Sequence, residues 1–480
     1  MRGGRRCRSP FRLLTLSLAI AVPMMPATSA AAAVRTKANV KTKPAAKVKP
    51  VGKANAVAKG KRSPAPRAAK ARVDSARDQA LAVAIRAAAG GWMARVYAQR
   101  GYRPLWTGGE TGAATIGPAA GTLIAYLNDA DLDNLKPSSY DVGKLRQRID
   151  AARGGAPAAV AAAELALSAA FVDYVRDQRR PRDVGMTWAD KRLKPSRPKP
   201  EAVLRAATFP PSFATYVSKM AWMSPRYVEL RRASALARRG GITPAALTRL
   251  RLNLDRARIL PGPWTRHVEV DASSGRLWFY EAGEQKGTMR VVVGTRETQT
   301  PMLAGTLQWA IVNPYWNVPD YLVRKNVAVK ILGGRTLASM KMEALSDWSD
   351  AARPLPADTI DWRAVAAGKR DLRVRELPGP ANSMGKVKFL FPNDEGIYLH
   401  DTPNRALLTK DDRHFSNGCI RLEDAPRLAR WLMGRPLRAG GKPEQAVALT
   451  APTPVYLTYL TAGSTGAQLA FRDDVYGRDG

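Results

Sequence analysis

Near residue 260 the spacing of apolar side chains changes from helical to alternating, and this change limits the possible fold more than any other feature. After "PGPW" (261–264), the run "HVEVDASSGRLWFYEAGEQKGTMRVVVG" alternates Val268/Val270, Leu277/Phe279 and Met289/Val291/Val293. A period of two presents one strand face to a core, and "SSG" and "EAGEQKG" supply turns between strands. Further strand-like runs are "GTLQWAIV", "KVKFLFP", "GIYLHD", "AVALT" and "PVYLTYLTA". Over 320–388 the alternation breaks into mixed helix and loop. That reads as an insertion over a mostly β domain, the kind of segment that serves as a lid or binding loop. "EDAPRLARWLM" predicts a short helix with Asp424 as its cap and Pro426 in its first turn.

Before the change, "SARDQALAVAIRAAAGGWMARVYAQRG" and "APAAVAAAELALSAAFVDYVRDQ" place Leu165, Phe171, Val172 and Val175 at helical spacing. "ITPAALTRLRLNLDRARIL" repeats the pattern, with Thr243 as N-cap and Pro244 in the first turn. A helical domain over 76–260 is therefore expected. In "DADLDNLKPSSY", Asp129, Asp131 and Asp133 match the first ligands of a calcium loop. Tyr140 stands where the bidentate Glu belongs and Leu135 replaces the Gly, so the reading rejects calcium.

A chain of 480 residues, 45% of them hydrophobic, exceeds one average domain and can fill more than one core. Its formal charge of +37 suggests a nucleic-acid binder until the charge is located. Residues 1–72 carry 18 Lys or Arg and no acid, which leaves +19 for the rest. "MRGGRRCRSPFR", "LLTLSLAIAVPMM" and "PATSAAAA" have the order of an export signal over 1–30. The apolar part is shorter than the ~20 residues of a spanning helix, so no stable membrane span is expected after cleavage. Residues 31–75 are rich in Ala, Lys and Pro and hold no aromatic residue, which predicts a disordered basic linker. Its natural partners outside the cytoplasm are anionic envelope polymers. The expected layout closes with a β domain over 261–450 and a C-terminal strand and tail over 451–480 that packs on the helices.

Cys7 would leave with the signal, so Cys419 becomes the lone thiol. It lies in "HDTPNRALLTKDDRHFSNGCIRL" (400–422), which also holds two of the three histidines, His400 and His414. A thiol attacks as thiolate, and an adjacent imidazole can take its proton and return it to a leaving amine. The Gly418–Cys419 turn can aim successive backbone N–H groups at one point, as an oxyanion hole requires. Arg421, two residues on, would share a strand face with Cys419 and could hold a carboxylate. His400 ends a strand and could meet Cys419 on an adjacent strand, whereas His414 sits in the charged loop "KDDRHF"; spacing favours His400. One Cys and two His lack a fourth ligand and the usual short spacings, so no metal and no cofactor is expected.

The run from His400 to Arg421, a His followed at loop distance by Ser-Asn-Gly-Cys-Ile-Arg, resembles the signature of the L,D-transpeptidase (YkuD) catalytic domain. "YWNVP" (315–319), "TIDW", "PGPANSMGKVKFLFPN", "IYLHDTP" and the C-terminal "FRDDVYGRD" look like its large periplasmic Gram-negative subfamily. "RGYRPLW" and "DLDNLKPSSY" resemble that subfamily's helical scaffold domain. The resemblance implies a multidomain α+β protein: a mostly β catalytic domain with a capping subdomain at 320–388, preceded by an α-helical scaffold.

It further implies Cys419 as nucleophile, His400 as general base and Gly418 and Cys419 as oxyanion donors. Ser416, Asn417, Arg421, Tyr315, Trp316 and Tyr398 would be substrate-binding residues. The implied substrates are peptidoglycan stem peptides, joined by 3→3 cross-links through a cysteine thioester in the periplasm, with carbapenems acylating the same thiol. Water or a protein lysine are alternative acceptors, and a non-catalytic wall-binding protein is the reading from another class. Two features depart from the pattern. Asn417 stands where a second His is frequent, and only a short stretch separates "SPRYVELRRASALARRGG" from "ITPAALTRL", where a peptidoglycan-binding module would sit.

Overall fold

A computed structural model describes residues 66–108, 115–438, 441–465 and 468–480, with side chains from residue 76 onward. The expected export signal, and the basic linker as far as residue 65, lie outside the described residues. The first helix, α1 (Pro66–Ala88), begins inside the stretch assigned to the linker. Ala, Arg and Lys, which deny that stretch a core, are also strong helix formers. Apart from its first turns, everything described below belongs to one unit, Arg72–Gly480.

Eight further helices complete the N-terminal half: α2 (Gly91–Gln99), α3 (Pro118–Asn128), α4 (Val142–Ala151), α5 (Pro157–Gln178), α6 (Pro200–Ala206), α7 (Phe213–Ser218), α8 (Pro225–Gly240) and α9 (Pro244–Arg258). Their starts are chemically marked. Asp141, Ser212, Ser224 and Thr243 each accept a hydrogen bond from the backbone N–H three residues on, at α4, α7, α8 and α9. Helix α5 is long and apolar enough to cross a membrane by length and composition. Here it is the centre of a core, with Val160, Leu167, Phe171 and Tyr174 fully buried.

Two buried carboxylates tie these helices together. Glu164 accepts hydrogen bonds from Tyr97 Oη at 2.6 Å and from the Leu105 and Trp106 N–H groups at 2.6 and 3.0 Å. Asp133 accepts from Tyr174 and Tyr227 hydroxyls, both at 2.6 Å, and from Arg231 Nε at 3.0 Å. Asp129 and Asp131 both pair with Arg238, so the three calcium-like aspartates are committed to arginines. Removing Asp133 strands a buried guanidinium and two phenols. Asp133→Ala is therefore expected to cost about 3–5 kcal/mol, read as a lowered denaturation midpoint.

The second half is a closed barrel of eight strands: β1 (His267–Asp271), β2 (Arg276–Glu281), β3 (Glu284–Gly294), β4 (Leu303–Val312), β5 (Val387–Leu390), β6 (Leu399–His400), β7 (Ile420–Leu422) and β8 (Gln445–Thr458). The order around it is β4-β5-β6-β7-β3-β2-β1-β8, and β8 pairs back onto β4. The β6–β7 and β1–β8 pairs are parallel and the rest antiparallel. Val268, Val270, Leu277, Met289, Val291 and Val293 all enter the core, as the alternation predicts. The outward residues His267 and Glu269 are buried too, and Arg226 of α8 stacks over Trp278. The helix Ala425–Met433, capped by Asp424, packs Leu428, Ala429 and Leu432 on the same core.

The insertion differs from expectation in having a sheet. Trp316–Asn317, Arg373–Glu376, Met342–Leu345 and Pro354–Leu355 pair in that order around a separate core that includes Val323, Trp362 and Val374. Its strands are two to four residues long, too short for a period of two to show. The expected boundary at 450 also falls inside a single strand. Gln445–Thr458 is one element with an irregular register between Ala448 and Thr453, so the barrel runs to 458. Beyond it the chain returns to the helices. Leu460 and Ala462 join their core, and Asp479 pairs with Arg249 and Arg256 of α9.

Candidate active site

The pairing of β6 with β7 decides which side chains meet. Leu399 lies opposite Ile420 and His400 opposite Arg421. Leu399 and Ile420 are fully buried in the barrel core, so His400, Arg421 and Cys419 share the other face. Lys388 of β5 lies opposite His400 on its second side. Tyr398 precedes His400 by two residues, and their ring centroids are 5.8 Å apart. Tyr398 lies beside the half-buried Cys419 thiol, which donates to the Gly396 carbonyl at 3.7 Å.

The charge states follow from burial. His400 is 2% exposed; desolvation, with help from the nearby Arg421 and Lys388 cations, lowers its pKa to about 3. Its Nδ1 stands 2.6 Å from the Asp401 carbonyl oxygen. An acceptor there requires Nδ1 to carry the proton, which leaves Nε2 with a free lone pair. Burial pushes the Cys419 thiol up to about 11, against the lowering by the neighbouring Tyr398 and Arg421. At neutral pH the pair therefore rests as thiol and neutral imidazole. Alkylation of Cys419 by iodoacetamide should keep accelerating with pH up to about 11, where a thiol at the ordinary 9.0 would already level off. A plateau below pH 9 would contradict this.

Ser416 builds the turn that presents Cys419. Its hydroxyl donates to the Cys419 carbonyl at 2.6 Å and accepts from the Gly418 N–H at 3.2 Å. The Ser416 carbonyl accepts from Thr295 N–H and Thr298 Oγ1, and the Gly418 carbonyl from Thr300 Oγ1 at 2.7 Å. Gly418 has φ +110°, a conformation that L side chains rarely adopt. Gly294 is equally constrained, because a Cβ there would lie 2.0 Å from the Thr298 carbonyl oxygen.

Several expectations are corrected by this geometry. Ser416 is 2% exposed and its hydroxyl is used inside the turn, so it does not face a substrate. The Gly418 N–H is engaged by that hydroxyl, so it is not a free oxyanion donor. Trp316, half-buried, packs against the core of the insertion. His414 lies in a short strand beside Val293 and Gly294, not in a loop. Its Nδ1 meets Asp412 at 2.5 Å, its ring meets Tyr476 edge-on, and its buried Nε2 has no partner. Asn417 is exposed on the turn. Tyr315 is tied to the cluster through Lys388, whose Nζ donates to its carbonyl at 3.3 Å and to Glu444 at 2.6 Å.

Two residues were missed. Lys388 shows in sequence only as a charge between Val387 and Phe389 of a buried strand. Tyr321, at the start of the insertion, has its phenol pushed up by burial and by the nearby Cys419, and no local pattern marks it. Arg421 keeps a buried Nε without a hydrogen-bond partner, so it retains capacity for an anion. Among the described residues no group of three His, Cys, Asp or Glu side chains could hold a metal.

Comparison with known proteins agrees with this architecture. Residues 265–457 match the L,D-transpeptidase catalytic domain, YkuD, and residues 91–233 match the Scaffold domain. A Haemophilus influenzae protein provisionally named an L,D-transpeptidase is 24% identical over 403 residues, 81% of this chain and 78% of that protein. Among solved structures, an L,D-transpeptidase from Mycobacterium smegmatis is 13% identical with a TM-score of 0.20, covering 40% of this chain and 58% of its own. The Ldtfm–avibactam carbamoyl enzyme is 14% identical with a TM-score of 0.18, covering 42% and 51%. The chain thus spans less than two thirds of either structure's length. With one match spanning the barrel and its insertion and the other spanning most of the helices before it, the chain carries an L,D-transpeptidase catalytic domain of YkuD type preceded by a Scaffold domain.

Proposed function

We propose that the protein is a peptidoglycan L,D-transpeptidase that forms 3→3 cross-links in the cell envelope through a thioester on Cys419. The observation that carries this reading is the β6–β7 register, which puts His400, Cys419 and Arg421 on one face. His400 Nε2 takes the thiol proton as sulfur attacks the carbonyl of the third stem residue, an L-configured centre. The Cys419 N–H, beside an engaged Gly418 N–H, is the oxyanion donor at this turn. Collapse breaks the peptide bond to the terminal D-residue, whose amine leaves with the proton from His400. A side-chain amine of a neighbouring stem then attacks the thioester, its proton passes to His400, and the thiol is regenerated. Arg421 holds the donor's carboxylate, and Tyr321 brings the insertion over the thiol as its cap.

The export-like leader supports a periplasmic site of action, and the basic linker supports contact with anionic envelope polymers. The discriminating experiment is mass spectrometry of disaccharide-tetrapeptides incubated with the purified protein. Cross-linked dimers support the proposal. Free tripeptide alone means water is the acceptor and the enzyme is an L,D-carboxypeptidase; unchanged substrate overturns both.

A further inference from the structure

A cavity of about 560 Å³ lies where helix α8, the hairpin between β2 and β3, and the C-terminal strand Ala462–Thr465 meet. It shares no residue with the Cys419 cluster, and its volume falls within the roughly 300–1,000 Å³ of small-molecule sites. Met223, Val228, Leu236 and Pro263 supply apolar wall. Val228, Arg232 and Leu236 recur at every fourth position of α8 and so line one side of it.

Its polar groups are unevenly satisfied. Glu229 pairs with Arg226 at 2.9 Å and accepts from the Ser464 hydroxyl at 2.6 Å. Lys219 and Arg232 are exposed at the rim, and among the described residues neither has an ion-pair partner. Tyr280 is 1% exposed and its hydroxyl has no hydrogen-bond partner, although Arg226 and Glu269 lie near it. A buried hydroxyl left unmet is a costly arrangement that an acceptor entering the cavity would relieve. Two uncompensated cations beside an apolar wall match neither a neutral sugar, which would leave both charges unanswered, nor a bare ion, which would leave the wall wet.

We propose that this cavity binds an anionic amphiphile, a phosphate head between Lys219 and Arg232 with its ester and alkyl chain inside against Tyr280 and the α8 wall. The test is calorimetric titration of the purified protein with lauroyl lysophosphatidate below its micelle concentration, alongside glycerol 3-phosphate and neutral monolaurin. Saturable one-to-one binding is expected for the first. It should weaken at least tenfold in the Lys219→Glu/Arg232→Glu variant, whose changes are on the surface, and a few-fold in Tyr280→Phe, each with an unchanged melting temperature. Equal binding of glycerol 3-phosphate would reduce the site to a phosphate contact and overturn the proposal. Equal binding of monolaurin, unchanged affinity in the charge-reversed variant, or no saturable binding would overturn it as well.

Discussion

Cys419→Ala will lower cross-linking of tetrapeptide donors by on the order of 10⁶, to the assay floor, because the covalent step has no substitute nucleophile. Cys419 is the free cysteine of the described residues, and its thiol donates to the Gly396 carbonyl at 3.7 Å. The turn that carries it is held by Ser416, Thr295, Thr298 and Thr300 and uses only backbone groups of residues 416–419 and the Ser416 hydroxyl. The variant should therefore fold as the parent does, with the same melting temperature. Intact-mass analysis provides the second readout. The parent should gain an acyl adduct when mixed with donor and the variant should gain none; an adduct on the variant would remove Cys419 from the mechanism.

The second large effect separates the two histidines. His400→Ala should cost about 10²- to 10⁴-fold in kcat/KM, the range for a lost general base, whereas His414→Ala should stay within about tenfold. His400 shares the face of Cys419, while the ring of His414 is committed to Asp412 and Tyr476. Equal losses would undo the assignment. His400 also leaves a signature in stability. Its pKa is lowered from 6.5 to about 3, so the folded state prefers the neutral ring. That contribution is complete above pH 6.5 and is lost as pH falls toward 3, where the unfolded state binds the extra proton. At ~1.4 kcal/mol per pKa unit the loss amounts to a few kcal/mol. His400→Gln should flatten the denaturation midpoint against pH in that window.

How much of this was legible in the sequence depended on whether the signal was local. The hairpins at Asp271–Arg276 and Glu281–Glu284 follow from alternation and turn residues, and the caps at Thr243 and Asp424 from side-chain chemistry one turn away. The shared face of Cys419 and Arg421 follows from the pleat. What failed was set by distance in the chain. Ser416 looks like a site residue until its hydroxyl is seen closing its own turn, which consumes the Gly418 N–H. The buried Glu164 looks like one polar residue on an Ala-rich helix, because its donors come from Tyr97, Leu105 and Trp106 on other segments. Tyr321 comes near Cys419 only through the path of the insertion.

The closing strand has a consequence in time. Strand β8 pairs with both β1 and β4, and it follows every other barrel strand in the chain. A polypeptide made from its N-terminus must expose seven strands of an incomplete barrel before the eighth emerges. The nucleophile candidate is thus translated before the seam that seals its support. The β6–β7 platform is therefore closed on both sides only once residue 458 is in place.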